Sequence, residues 1–534
     1  MKITELSRNN IKTEHFIGTL ITKQQESQRI GEYKLDLIDG QQRLTTFSLL
    51  LKAIATTAKG DGDFKKLKDR TNELIVFEDS KGNKFIRIEH SKNDQEYFDA
   101  VLLDKDLAGL ANQEHKILRA YQYFLSELKD FSDEQLDNLR NVILNNVPVI
   151  SMLLSANDDE QEIFDTINSL GIRLTTGELL KNFIFKEKAL RNLYETHWYP
   201  VFEEDDDVIN FWNREKTAGR IKRNNLELLL YCYLIIKTKT EVKLEELFKE
   251  YKKWITGKTV EEKKEFLQGL KEYATIYRNF PEGTQLNEIA FAENEKRFFH
   301  VIENLEITTV YPLVLYIYNK FSSEEVRSES IKYLESYLVR RNVCRLTTKN
   351  YNNIFIQIIR SLDESGVPEN DSLKNVLMAF TEDTNRFPND AEFATAFSQE
   401  ALSHANAREI LFCIAIYQLN SDYADIKKLS SASYSLEHIL PQKWETNWSV
   451  NGMDETFKLQ RNKKLKTLGN LTLVTKALNS KLKNSAWTNK KIPLKEYSKL
   501  PITTPYLDLN DWNEAEIEKR ANDLSNAALS IWEK

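Results

Sequence analysis

Three cysteines in 534 residues are too few, and odd in number, for a disulfide framework. Cys232, Cys344 and Cys413 are far apart, so they make no zinc knuckle, and each lies in or beside an apolar segment where a buried structural thiol is expected. Glycine (16) and proline (10) are scarce, which argues against long disordered tracts and leans towards helix. No hydrophobic run spans a bilayer: the most apolar stretch, 226–236, is interrupted by Glu227 and falls well short of the roughly 20 residues needed. The opening MKITELSRNN has no apolar core of a signal peptide. A cytoplasmic protein with no membrane partner is expected.

What is present is an ordinary globular composition on a long chain. At 534 residues the sequence exceeds what one core organises, and two or three domains are expected. The net charge of −7 argues against a protein that coats nucleic acid over its whole surface. It leaves room for a local basic face, so the distribution of sign along the chain carries the information.

The first organising stretch is Asp39-Gly40-Gln41-Gln42-Arg43. Residues 33–38 (YKLDLI) read as a short buried strand, and 43–58 as a helix with Leu44, Phe47, Leu50, Leu51 and Ile54 on one face. Gly40 lets the chain turn sharply between them. Free N–H groups at a helix start, with Arg43 beside them, form a seat for phosphate, and Asp39 could hold a magnesium ion against it. A strand–turn–helix with a purely structural aspartate reads almost the same, and both readings stay open.

These residues also carry a resemblance. The segment LIDGQQRLTTFSLLLKAI (37–54) resembles the core of the GmrS-type domain, and the likeness continues in FIRIEHSKNDQEYF (85–98). It returns in IFDTINSLGIRLTTGELLKNFIF (163–185), where Phe164, Asn168, Gly171 and Leu174 resemble that family's phenylalanine–asparagine–glycine–leucine block. The resemblance implies a ParB-like fold that binds and hydrolyses a nucleoside triphosphate through Asp39, Gly40, Gln41, Gln42 and Arg43, with Asn168 and Lys181 in support. Read as residues alone, Asn168 and Lys181 are equally a loop bond and a solvated helix position. Relatives also open with a Gln-Arg-x-Tyr block; here Gln28-Arg29 is followed by Ile30-Gly31, and Met1 lies only 38 residues before Asp39. The expectation is a chain shortened at its start, with weak nucleotide turnover.

Further along, the pattern predicts a strand or helix at 12–23, a hairpin with arms 74–78 and 84–88, helices at 94–103 and 113–128, and a strand at 147–154 held to an edge or start by Pro148. Residues 163–188 read as helix, loop, helix, with Thr176 capping the second helix. From about 200 to 385 the chain reads as a helical spacer. Its basic cluster Arg214, Lys216, Arg220, Lys222 and Arg223 reads as a solvated loop.

Past 386 the charge changes character. Between Thr456 and Leu500 stand twelve Lys or Arg residues, among them Lys463, Lys464, Lys466, Lys481 and Lys483, against the single acid Glu496. A local net of +11 in an acidic protein is expected to displace counterions from a phosphate backbone. Beside it, Glu437-His438 at a strand end closed by Pro441 places one side chain for metal and the other for solvent. A second strand follows in Leu468-Gly469-Asn470-Leu471-Thr472-Leu473-Val474, then a short helix at 476–487 carrying Asn479.

That order resembles the GmrD-type domain, a branch of the HNH nucleases, over 387–497. The resemblance implies His438 as general base, Asn470 as its orienting residue, Glu437 and Asn479 as ligands of Mg2+ or Mn2+, and Lys490 as a phosphate contact. Asparagine at 479, where many HNH enzymes use histidine, favours an oxygen-loving ion over zinc. The expected fold is α+β and mostly helical: a ParB-like domain at 1–200, a helical region at 201–385, and a ββα-metal domain at 386–534. The expected function is a nucleotide-regulated, metal-dependent endonuclease of phage defence acting on modified double-stranded DNA, with a homodimer open as its assembly. Glucosylated hydroxymethylcytosine and phosphorothioate both occur as targets in the family. The alternative is a DNA-binding sensor built on an inactive nuclease fold.

Overall fold

The computed structural model describes residues 15–24, 34–79, 81–90, 92–155, 175–185, 187–218, 221–366, 371–420, 427–448 and 454–534. The architecture is α+β and mostly helical, with small sheets, and the chain divides into two compact units, 1–173 and 174–534.

The first unit is built on a three-stranded sheet in the order β2-β1-β5, where β1 is Thr19–Gln24, β2 is Leu35–Asp39 and β5 is Ile150–Leu154. β1 pairs antiparallel with β2 and parallel with β5, so β5 is an edge and begins just after Pro148. Gly40, at φ 106°, turns the chain from β2 into helix α1 (Gln41–Thr57). An added Cβ at Gly40 would lie 2.2 Å from Leu20 Cδ2, so both the backbone angle and the space require glycine. The predicted hairpin forms from β3 (Val76–Glu78) and β4 (Lys84–Ile86). Helices α2 (Lys92–Leu102), α3 (Lys116–Leu128) and α4 (Asp133–Asn145) pack on α1 around Leu49, Ile54, Phe98, Leu118, Leu136 and Leu139.

In the second unit, α5 (Thr176–Phe185) is capped one residue earlier than the sequence suggests. Thr175 Oγ accepts from Glu178 N–H while the Glu178 carboxylate accepts from Thr175 N–H, whereas the Thr176 hydroxyl donates to Glu227. Among the basic cluster read as a loop, the structure places a hairpin, β6 (Glu215–Ala218) with β7 (Ile221–Asn224), and Arg214 and Lys216 both pair with Glu282. The helices that follow include α6 (Asn225–Thr238), α7 (Val260–Arg278), α8 (Glu324–Val343) and α9 (Tyr351–Glu364). Cys232 and Cys413 are buried and Cys344 is half-buried; all three are free thiols.

One continuous core joins this helical region to the C-terminal segment, running from Leu179 to Trp532. Buried polar groups pin the junction: Trp532 Nε1 donates to Glu335, Arg297 pairs with the same carboxylate, and Arg340 donates to the Trp532 carbonyl. Against this core stand α10 (Asp390–Gln399), α11 (His404–Gln418) and α15 (Glu514–Ile531). Among the described residues no helix is long and apolar enough to cross a membrane.

Candidate active site

Two antiparallel strands and a helix form the site. β8 (Tyr434–His438) pairs with β9 (Leu471–Thr475) with Glu437 opposite Thr472 and His438 opposite Leu471. Thr475 closes β9 and caps α13 (Lys476–Leu482) by accepting from Leu478 N–H. Alternation along β8 places Ser435 and Glu437 on one face and His438 on the other. The Asn479 amide donates to Ser435 Oγ and to the Leu436 carbonyl, both at 3.0 Å, which sets it on the Ser435–Glu437 face. A carbonyl can only accept, so Nδ2 must point at the strand and Oδ1 remains for another partner.

Glu437 is 8% exposed, and its carboxylate accepts from Lys490 Nζ at 2.5 Å. Lys490 also donates to the His438 carbonyl at 2.8 Å. Burial pushes the Glu437 carboxyl upward, against the Lys490 ammonium and the His438 N–H that pull it down. At 1% exposed on α14 (Trp487–Tyr497), Lys490 is therefore no open phosphate contact; it is the partner of Glu437.

His438 is half-buried, and its pKa is pushed down to about 4, first by burial and then by the positive surroundings of His404, Lys490 and Lys466. The imidazole is neutral at ordinary pH, as a proton acceptor must be. Its Nε2 meets the Gln442 side-chain amide at 3.0 Å. With the amide donating, Nε2 carries a lone pair and the ring proton sits on Nδ1.

Asn470 is fully buried and makes no bond to His438. Its Oδ1 accepts from Leu440 N–H (2.8 Å) and Trp512 Nε1 (3.1 Å), and its Nδ2 donates to the carbonyls of Leu440 (2.8 Å) and Leu465 (3.0 Å). Its backbone carbonyl takes the Ile439 N–H. Asn470 thus fixes the turn that leaves His438, and any orienting effect on the imidazole runs through that backbone. The turn bearing Asn470 is in turn held by Arg520, whose buried guanidinium donates to the carbonyls of Leu468, Gly469, Leu471 and Ile502. Gly469 is needed because a Cβ there would meet the Ile517 carbonyl at 2.2 Å.

The basic segment is less free than its sequence count. On α12 (Glu455–Lys464) Arg461 is buried against Glu514, Lys464 pairs with Glu518 and Lys458 with Glu455, while Lys495 pairs with Asp508. Lys463, Lys466, Lys476, Lys481, Lys483 and Lys499 are exposed with no acidic partner among the described residues. The Lys481 ammonium lies over the Tyr497 ring at 5.0 Å. Ser435, Gln442, Trp512 and Arg520 were not expected as site residues. Ser435 was findable from its place two residues before Glu437, whereas Trp512 and Arg520 carry no local signal.

At the other candidate site, the Arg43 guanidinium pairs with Asp39 at 3.0 Å and also bonds the Thr19 carbonyl. Gln41 folds back to donate to the carbonyls of Leu37 and Ile38, both 3.0 Å, and Gln42 is exposed. Lys181 lies in the second unit, paired with Glu203 at 2.8 Å. Asn168, with Phe164, Gly171 and Leu174, lies outside the described residues, as do residues 28–31.

Among the described residues no three His, Cys, Asp or Glu side chains cluster to hold a metal. Glu437 and Asn479 on one face supply two oxygen donors, a set that suits an ion content with water and phosphate for the rest. The strand–strand–helix site brings an imidazole and a buried carboxylate to one strand end, residue types that general acid–base hydrolysis uses. The C-terminal domain pattern of the GmrSD restriction endonucleases matches residues 387–527 and their N-terminal domain pattern matches 3–185, and the chain belongs to that family of DNA-cutting enzymes. No curated protein matches the chain.

Proposed function

We propose that this protein is a nucleotide-regulated, metal-dependent DNA endonuclease of the HNH type that cuts chemically modified foreign DNA. The observation that carries the reading is the placement of His438 at the end of β8, next to Glu437 and to the helix that presents Asn479. In this reading His438 takes the proton from the attacking water, and Gln442 yields its place at Nε2 to that water. Glu437 and Asn479 hold Mg2+ or Mn2+, which when bound supplies Lewis-acid stabilisation of the charge that develops on the phosphate. Lys463, Lys466, Lys481 and Lys483 carry the sequence-independent hold on the duplex.

The N-terminal unit, with a ParB-like fold, binds a nucleoside triphosphate at Asp39, Gly40, Gln41, Gln42 and Arg43 and governs the nuclease. The Asp39–Arg43 pair across the Gly40 turn supports a preformed polar site at a helix start.

The test is incubation of purified protein with DNA carrying glucosylated hydroxymethylcytosine, phosphorothioate or neither, with Mg2+, and with and without nucleotide. Cleavage of a modified substrate, abolished by EDTA and altered by nucleotide, is expected. Intact DNA in every arm, with Mn2+ tried as well, sinks the nuclease reading.

A further inference from the structure

We infer that Lys490 is a resident cation that keeps the metal seat electrically neutral, so that this enzyme takes its divalent ion only together with DNA. The inference rests on the metal-dependent reading above and assigns to a residue outside the two ligands the control of when the ion binds.

The argument is one of charge and geometry. The Lys490 ammonium is 1% exposed and touches Glu437 Oε1 at 2.5 Å, which is direct ion pairing with the ammonium shut off from bulk water while the carboxylate keeps an exposed edge. A second bond at 2.8 Å to the His438 carbonyl anchors the ammonium to the strand end, so it is not a long side chain that swings away freely. On the same face the other candidate ligand, Asn479, is uncharged, and its amide nitrogen is already spent on Ser435 and Leu436. The seat therefore sums to zero: one carboxylate, one ammonium and one amide oxygen. A divalent ion entering it alone would meet one carboxylate oxygen already bonded to a cation, and a like charge at close range with little water to screen it. Magnesium also dehydrates reluctantly and is ordinarily bound by one or two carboxylates together with phosphate oxygens. Here the missing negative charge has to come from the phosphodiester itself. The arrangement has a functional sense, because a nuclease whose ion arrives only with its substrate carries no loaded site between encounters.

The experiment is Mn2+ binding, followed by the electron paramagnetic resonance signal of the free ion, which needs no turnover. Lys490→Met should bind Mn2+ at least tenfold more tightly than the parent chain in the absence of DNA. Unchanged or weaker binding overturns the inference. A second measurement stands independently of whether Lys490→Met folds. In the His438→Ala chain, which should leave duplex intact, Mn2+ should bind at least tenfold more tightly with duplex DNA than without it. Equal affinity with and without duplex overturns the inference too. Glu437→Gln separates this result from the underlying reading: if it leaves Mn2+ binding in the presence of duplex untouched, Glu437 is no ligand and the metal assignment falls as well. If it abolishes binding while Lys490→Met fails to tighten it, the metal assignment stands and only the role of Lys490 is wrong.

Discussion

Trp512 Nε1 donates to Asn470 Oδ1 at 3.1 Å, so a residue beyond the strand–strand–helix motif completes the bonding of the asparagine at its centre. Asn470 then has all four of its amide bonds made inside the protein. Asn470→Ala would leave Leu440 N–H and O, Leu465 O and Trp512 Nε1 without partners in a dry site. At roughly 1–3 kcal/mol for each buried group left unsatisfied, the second unit should lose several kcal/mol. Trp512→Phe keeps the ring and removes one bond, and should cost only about 1–2 kcal/mol. Urea unfolding of the two variants checks the ranking; an Asn470→Ala chain as stable as the parent would show that water replaces the amide.

A second expectation concerns the imidazole. His438→Ala should reduce cleavage by about 10² to 10⁴ and leave DNA affinity almost unchanged, because in this reading the side chain handles a proton and carries little of the phosphate-binding energy. Cleavage rates and gel-shift titrations on the same preparation decide it. Parental rates, still sensitive to EDTA, would move the base elsewhere.

The low pKa of His438, about 4, has a consequence for stability with a definite sign. Below the ordinary value near 6.5 the unfolded chain takes up a proton that the folded chain refuses until about pH 4. Unfolding therefore binds a proton in that window, and the folded state loses stability as pH falls from 6.5 to 4. His438→Ala removes this loss, so the variant should gain on the parent in thermal midpoint as the pH is lowered through that range. A constant difference between the two from pH 7 to pH 4 would show that the imidazole is not held neutral by the fold.

Much of this site was legible because its signals are local. Glu437-His438, the GNLTLV strand and Asn479 lie within short segments whose period-two alternation and turn glycine fix strand, face and helix. What was not legible arrives from a distance. The acids that neutralise Arg461, Lys464 and Lys495 are Glu514, Glu518 and Asp508, all downstream of the basic segment 456–500. The same holds for Lys490, whose burial against Glu437 joins α14 to β8 across a long stretch of sequence. In the N-terminal unit the β2–Gly40–α1 turn was readable from one glycine and an amphipathic helix. In the second unit the β6–β7 hairpin was not, because EKTA and IKRN lack apolar alternation. At α5 the adjacent threonines differ only in register, and Glu178 three residues after Thr175 is the signal that tells them apart.

The distinction between free and paired lysines is open to measurement. Replacing Lys463 and Lys466 by alanine should weaken binding to all duplexes alike and flatten the salt dependence by roughly one unit of slope for each lost phosphate contact. Lys464→Ala should change the slope less, since its ammonium already pairs with Glu518. Equal effects from all three lysines would mean that DNA displaces Glu518, and no effect from any would turn this segment away from the duplex.

The last prediction tests whether the Asp39–Arg43 pair is a ligand site or only a brace. Both residues meet across the Gly40 turn, and Arg43 also ties down the Thr19 carbonyl of β1, so the pair holds strand, turn and helix together whatever else it does. Asp39→Asn keeps the size and a hydrogen-bond acceptor for Arg43 while removing the charge that a magnesium–nucleotide complex needs. If the site binds nucleotide, this variant should unfold close to the parent yet lose nucleotide binding at least tenfold. Gly40→Ala is the contrasting control: a left-handed φ and a Cβ 2.2 Å from Leu20 should destabilise the first unit by a few kcal/mol. Nucleotide affinity measured by fluorescence, beside thermal unfolding of each variant, separates the two roles. An Asp39→Asn chain that melts early but binds nucleotide like the parent would make the pair a brace, and would send the search for the phosphate seat to other residues of the unit.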